Sequence, residues 1–207
     1  MNHPKFLRAG LALVAAITLG AQLAGCIPLV VGAVGAGVYG ATDRRSLGAQ
    51  ADDKVIAVRA DSRINDALSD RAHVNVNSFN RKVLLTGEVP DQAAKEKAVA
   101  IAKGVDNVAS VVEDLEIAGM TPSSSRNNDA YITTKVKAEL VTKKVPPNTI
   151  SVVTEKRIVY LMGRVTQAEG DSAAAAAATV SNVAKVVKVF DYITPEELTQ
   201  LNKSGSP

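Results

Sequence analysis

The chain has 207 residues, with 24 Lys and Arg against 21 Asp and Glu, 46% hydrophobic side chains, no tryptophan and one cysteine. Lys5 and Arg8 hold two of the positive charges, so the chain after position 25 is nearly neutral, with 22 cations against 21 acids. That balance disfavours broad phosphate-backbone binding, which needs a large cationic excess on one face, and no nucleic-acid partner is expected.

The first element is built like an export signal. Lys5 and Arg8 give a charged start, Leu11 to Leu19 an apolar middle, and Ala24 and Gly25 small residues just before Cys26. The apolar run is too short to span a bilayer, so residues 1–25 read as a signal peptide. Leu23-Ala24-Gly25-Cys26 resembles the lipobox of bacterial lipoproteins. The resemblance implies that Cys26 becomes the first mature residue, with a covalent diacylglycerol on its sulfur and an N-acyl chain on its amine. The alternative is an ordinary signal peptide followed by an incidental cysteine. Residues 26–53 then form a lipidated tether, whose glycine-rich 30–39 portion is apolar but too short to cross a membrane. Ile27 stands where envelope sorting rules place an inner-membrane retention aspartate, which implies delivery to the outer membrane.

From residue 54 the chain repeats itself. Val74-Asn75-Val76 and the alternating run 83–89 return as Ile150-Ser151-Val152 and 159–165, and 105–112 returns as 180–187 at an offset shorter by one. Such self-similarity sets the domain plan before any local reading does. Ile64 and Leu68, like Val136 and Leu140, are four apart and share a helix face. Each unit therefore opens with a helix. A period-two hairpin follows, 74–78 with 82–88 and 150–154 with 158–164. Alanine-rich helices come next at 93–103 and 169–179, and Ala173 to Ala178 give the second a small face for close packing on a sheet. Val108 to Ile117 and Val183 to Ile193 supply a third strand, which a right-handed crossover places parallel to the second. The expected fold class is α+β: two tandem α-β-β-α-β domains, each a three-stranded mixed sheet packed on two helices. The predicted boundaries are 54–118 and 129–193, separated by a 119–128 linker of turn and coil chemistry. A capping box at Thr194-Pro195-Glu196-Glu197 opens a short C-terminal helix within 194–207.

The tandem copies, their internal Gly87 and Gly163, and the Gly104-Val105-Asp106-Asn107-Val108 segment resemble BON domains. The order lipobox, apolar segment, Asp43-Arg44-Arg45-Ser46, then two such units resembles dual-BON outer-membrane lipoproteins. Tyr131-Ile132-Thr133-Thr134-Lys135-Val136-Lys137 and Leu161-Met162-Gly163 extend the likeness. The resemblance implies a non-enzymatic protein, lipid-anchored at the outer membrane and facing the periplasm, that binds anionic phospholipid through its second unit. It also implies support of membrane integrity and a place near division sites. An adaptor for envelope machinery such as the outer-membrane protein assembly complex is the alternative. Carried over residue by residue, the resemblance selects Tyr131, Ile132, Lys135, Val136 and Leu140, and the cationic Lys137 on the same helix completes the phospholipid-binding set.

Helical geometry divides that set. Ile132, Val136 and Leu140 form an i, i+4, i+8 stripe that reads as core. Tyr131, Lys135, Lys137, Lys143 and Lys144 remain as candidates for headgroup contact, with a solvated helix face as the alternative. Residues 129–144 hold four lysines against Asp129 and Glu139, whereas 61–71 in the first unit hold two arginines against three aspartates.

Catalytic chemistry has little material here. With Cys26 lipidated and His3 removed with the signal, His73 is the last histidine and no free thiol remains. No disulfide, Cys/His zinc site or Cys/His nucleophile is available within one chain, and neither a metal site nor a cofactor is expected. His73 reads as a loop residue before a strand. An aspartate-only metal site or a serine-lysine pair stays open, with Asp52-Asp53 as the nearest acidic pair, although adjacent carboxylates in a polar stretch read as solvated linker.

Overall fold

The computed structural model describes residues 43–120, 123–146 and 148–204. The signal peptide, Cys26 and the 30–39 stretch lie outside the described residues. The first copy runs α1 (Leu47–Leu68), a 3-10 turn, β1 (His73–Phe79), β2 (Lys82–Val89), α2 (Gln92–Lys103) and β3 (Ser110–Ile117). The second runs α3 (Ser123–Thr142), β4 (Ile150–Glu155), β5 (Ile158–Val165), α4 (Gln167–Ala178) and β6 (Lys185–Tyr192), and α5 (Pro195–Ser204) closes the chain. Each sheet has the order hairpin, then third strand, with β1 antiparallel and β3 parallel to β2, and β4 antiparallel and β6 parallel to β5. The helical crossover therefore gives the mixed sheet that the repeat implied.

Local chemistry starts the helices. Ser46 accepts from the Ala49 amide at the head of α1, and Asp91 accepts from Ala94 at the head of α2. Thr166 and Glu169 form a reciprocal capping box on α4, and Thr194 with Glu197 does the same on α5. Two helices begin earlier than the sequence suggested. α1 reaches into the predicted tether, and α3 starts at Ser123, inside the segment expected to be coil. Serine and asparagine are neutral to poor helix formers, but once α3 is fixed by packing at Ile132 and beyond, adding residues upstream costs little.

Alternation along the central strands buries both faces of each sheet. In β2, Val83, Leu85 and Val89 join Ile56, Ala60, Ile64 and Leu68 of α1 and the alanines of α2 in one core. Val159, Leu161 and Val165 of β5 make the equivalent core with Ile132, Val136 and Leu140 of α3 and Ala173, Ala176 and Ala177 of α4. The intervening residues face the other domain: Phe79 and Leu84 pack with Tyr160, Met162 and Val189 in a third cluster between the sheets. The layer order is thus helix, sheet, sheet, helix. Two small cores that are each marginal alone gain a shared one.

The two domains meet with an approximate two-fold relation. Asn80 Nδ2 donates to Asp191 Oδ2 at 3.1 Å, and its repeat equivalent Lys156 donates to Glu116 Oε2 at 2.6 Å. Exchange of the copies maps one contact onto the other. Two glycines are required inside the sheets: Gly87 has φ +113°, and a Cβ there would lie 2.0 Å from the His73 carbonyl oxygen. At Gly163 it would lie 2.6 Å from that of Thr149.

Candidate functional site

A buried aspartate fixes each hairpin. Asp53, 3% exposed, projects from α1, where Oδ1 accepts from Ser78 Oγ and Arg81 N at 2.7 and 2.8 Å. Its Oδ2 accepts from Asn80 N at 2.7 Å and Arg45 Nη1 at 2.8 Å. Asn80 and Arg81 both have positive φ, 52° and 66°, the geometry of a tight turn whose twist suits a hairpin. Asp129 of α3 does the same for Lys156 N and Arg157 N at 2.9 and 2.8 Å. Asp53 is therefore a structural anchor and not part of a solvated linker. The signal was present in the sequence: Asp53 and Asp129 stand at the same offset as the hairpin strands of the two copies.

The chain entering α1 is clamped by two adjacent arginines that point to different domains. Arg44 Nη2 and Nη1 donate to Glu169 Oε1 and Oε2 at 2.6 and 2.8 Å, and Nη1 also reaches the Arg164 carbonyl at 2.7 Å. That fork holds the Glu169 carboxyl below its ordinary pKa, mainly through the Arg44 hydrogen bond. Arg45 pairs with Asp43 and Asp53 and lies 3.9 Å over the Phe79 ring. The Asp-Arg-Arg run thus ties the start of the fold to the second domain through one arginine and to the first through the other.

The six predicted phospholipid contacts separate into three groups. Ile132, Val136 and Leu140 are 0, 0 and 4% exposed and belong to the core of the second domain. That is a correction to their place among headgroup contacts: their side chains hold α3 to the sheet. Tyr131 is 56% exposed, with Lys135 Nζ 4.7 Å from its ring centroid and 3.4 Å from Ser181 Oγ. Lys135 is half-buried and lines a shallow groove of about 270 Å³ with Ala138, Glu139, Thr142 and the 179–181 turn. Lys137 lies round the helix on another side, with Val141 and Leu140 in an open groove of about 620 Å³ that also includes Arg45, Leu47 and Phe79. Lys143 and Lys144 are exposed just past the end of α3. The two flanks of the buried stripe of α3, together with the helix end, therefore carry four lysines, an aromatic ring and, in Val141, an exposed aliphatic residue.

A second polar constellation lies where the sheets meet. His73 is the first residue of β1, and its Nδ1 is 3.1 Å from Glu88 Oε2, so it is a strand residue paired across the hairpin and not a loop residue. Glu88 Oε1 is 3.1 Å from Lys156 Nζ of the other domain, and that ammonium is 2.6 Å from Glu116. Asn75 Nδ2 donates to Glu155 Oε2 across the interface. Glu155 is 5% exposed, its Oε1 has no hydrogen-bond partner, and burial raises its pKa. Tyr160 donates to Asp114 at 2.9 Å nearby, and its pKa is raised, first by burial and then by that bond. No local motif announces this group, because its members come from several strands of two domains.

The BON domain family matches residues 52–119 and 128–194. The chain is 36% identical over 183 residues to the outer membrane lipoprotein DolP of Haemophilus influenzae, covering 86% of this chain and 95% of that protein. It is 34% identical over 154 residues to the 21 kDa hemolysin of Actinobacillus pleuropneumoniae, 73% and 79% of the two chains. With the osmotically-inducible protein Y of Escherichia coli it shares 31% identity over 140 residues, 65% and 70%. These matches span both copies of the repeat, and the structure gives each copy the same topology. The chain belongs to the BON-domain family and carries two BON domains in tandem.

Proposed function

We propose that the protein is a non-enzymatic outer-membrane lipoprotein, anchored through Cys26, whose second BON domain binds anionic phospholipid and so supports outer-membrane integrity, near division sites. The observation that carries this reading is the surface of α3 and its end, where Tyr131, Lys135, Lys137, Lys143 and Lys144 flank an apolar stripe that is fully used by the core. The similarity to an outer membrane lipoprotein supports the location. Among the described residues no helix is long and apolar enough to cross a membrane, and attachment in this reading is by the lipid on Cys26.

Chain length limits how far the domains stand from that lipid. From Cys26 to Asp43 the chain reaches at most about 60 Å even when fully extended. Within that radius the local concentration of headgroups is high, so individually weak contacts suffice. Each lysine near an anionic surface contributes about 1 kcal/mol, and a tyrosine ring suits the boundary between headgroup and acyl chain.

Vesicle flotation of a chain starting at Gly40 tests the reading. Cardiolipin-rich vesicles should retain the protein and neutral phosphatidylcholine vesicles should not. Tyr131→Ala with Lys135→Glu should lower retention by about tenfold, since charge reversal alters the surface interaction by more than one lysine's worth. Equal recovery on both vesicle types, or no effect of the double substitution, counts against it.

A further inference from the structure

We infer that His73, Glu88 and Glu155 form a divalent transition-metal site, of the kind zinc takes, that bridges the two BON domains. One ligand-type atom from each of the three residues lies within 4.8 Å of the other two. His73 and Glu88 come from the hairpin of the first domain and Glu155 from β4 of the second. An ion held by all three joins the sheets along the edge of their shared core.

Three independent features point to a cation. The first is the buried Glu155 oxygen with no partner, in a side chain only 5% exposed; an unpaired carboxylate oxygen in such a place is costly, and a metal ion satisfies it directly. The second is charge. Carboxylates outnumber cations here, with Glu88 and Glu116 sharing the Lys156 ammonium and Glu155 beside Glu88, and a dication supplies the positive charge that favours an ionised Glu155. The third is access, because the His73 side chain is 19% exposed while Glu88 is sealed, so an ion can enter past the imidazole.

The donor set selects the class of metal. One imidazole nitrogen and two carboxylate oxygens are the ligands of zinc and its neighbours, with a water in the fourth position. Calcium and magnesium favour six or more oxygens and no imidazole. Ligand distances of about 2.0–2.2 Å put tetrahedral donors about 3.4 Å apart. The 3.1 Å spacing of His73 and Glu88 is close to this already. Glu155 places a carboxylate oxygen within 4.8 Å of both. The competing cation, Lys156, meets Glu88 through Oε1, whereas Oε2 is the oxygen near His73, so lysine and metal address opposite edges of the same carboxylate.

Equilibrium dialysis of the full chain, purified in detergent, against micromolar zinc followed by metal analysis tests the inference, with cobalt absorption as a second readout. The expected result is one zinc per chain and the visible bands of a low-coordinate cobalt site. His73→Ala and Glu155→Gln should each weaken binding at least tenfold, with circular dichroism unchanged. Glu116→Gln, which removes charge beside Lys156 but no ligand, should weaken binding by less than either ligand substitution does. Absence of stoichiometric metal overturns the site. So does metal that His73→Ala leaves in place, or a Glu116→Gln loss equal to that of Glu155→Gln, which would mark diffuse attraction to acidic charge.

Discussion

Single side chains decide the geometry of each unit, and Asp53 is the clearest case. It closes a turn whose two central residues have positive φ, accepts two amides and a hydroxyl, and pairs with Arg45. Removing one partner of a buried ion pair costs about 3–5 kcal/mol, and here Arg45 keeps Asp43 as a second partner. Asp53→Ala should therefore lose about 3 kcal/mol, the lower end of that range. Asp53→Asn keeps an acceptor and should lose less. Urea midpoints of the two variants check the ordering; an Asp53→Ala midpoint equal to the parent's contradicts the anchor. The same residue shows what the sequence carried and where local reading failed. Next to Asp52 in a polar stretch it looks like linker, because its neighbours in the chain say nothing about a turn at Asn80 and Arg81, beyond the whole of α1 and β1. The repeat offset, which pairs it with Asp129, was the legible sign of its role.

At the scale of elements, the helices, hairpins and crossovers were readable because their periodicities appear twice. Two matched copies turn weak local signals into a strong one. The apolar stripe of α3 was legible as core by the same spacing, whereas the resemblance had placed Ile132, Val136 and Leu140 with the lipid contacts. The Asp-Arg-Arg clamp was not legible, since Arg44 and its partner Glu169 lie 125 residues apart in the chain. Its consequence is pH dependence. The Glu169 carboxyl is held below its ordinary value of 4.5, chiefly by Arg44, so the folded state favours the ionised form. The stabilisation is therefore complete above the ordinary value and is lost as pH falls through the lowered one. Arg44→Ala should reduce stability by roughly 1–2 kcal/mol at neutral pH, in the range of charge-assisted hydrogen bonds that are only partly buried. The gap between variant and parent should close once the pH is low enough to protonate the paired carboxyl. A gap that persists unchanged under acid would assign the effect to packing of the arginine stem.

For the whole molecule, the arrangement of the two domains was the least legible feature, because the apolar residues on the second face of β2 and β5 do not say what covers them. Leu84 and Leu85 are neighbours, both 0% exposed, yet they serve different cores: Leu85 lies between sheet and helices, and Leu84 between the two sheets. A charge at each site should therefore have different results. Leu85→Lys puts an ammonium inside a single domain with no route to water, and burial of an unpaired charge at that position should unfold the first domain. Leu84→Lys puts it at a boundary that can open. Each sheet keeps its own helices, and separation of the domains hydrates the lysine at the cost of the shared cluster. The expected outcome is near-parental circular dichroism for Leu84→Lys, with a larger radius of gyration in X-ray scattering and increased binding of an apolar dye. Leu85→Lys should lose helix and strand signal. If Leu84→Lys also unfolds the chain, the sheets are not separable layers and the two domains form one indivisible fold. If it keeps the parent's radius, the cluster around Tyr160 and Met162 does not govern their docking. Where the domains do separate, the Asp-Arg-Arg clamp, which holds both, should limit how far they part, and combining Leu84→Lys with Arg44→Ala should extend the molecule further.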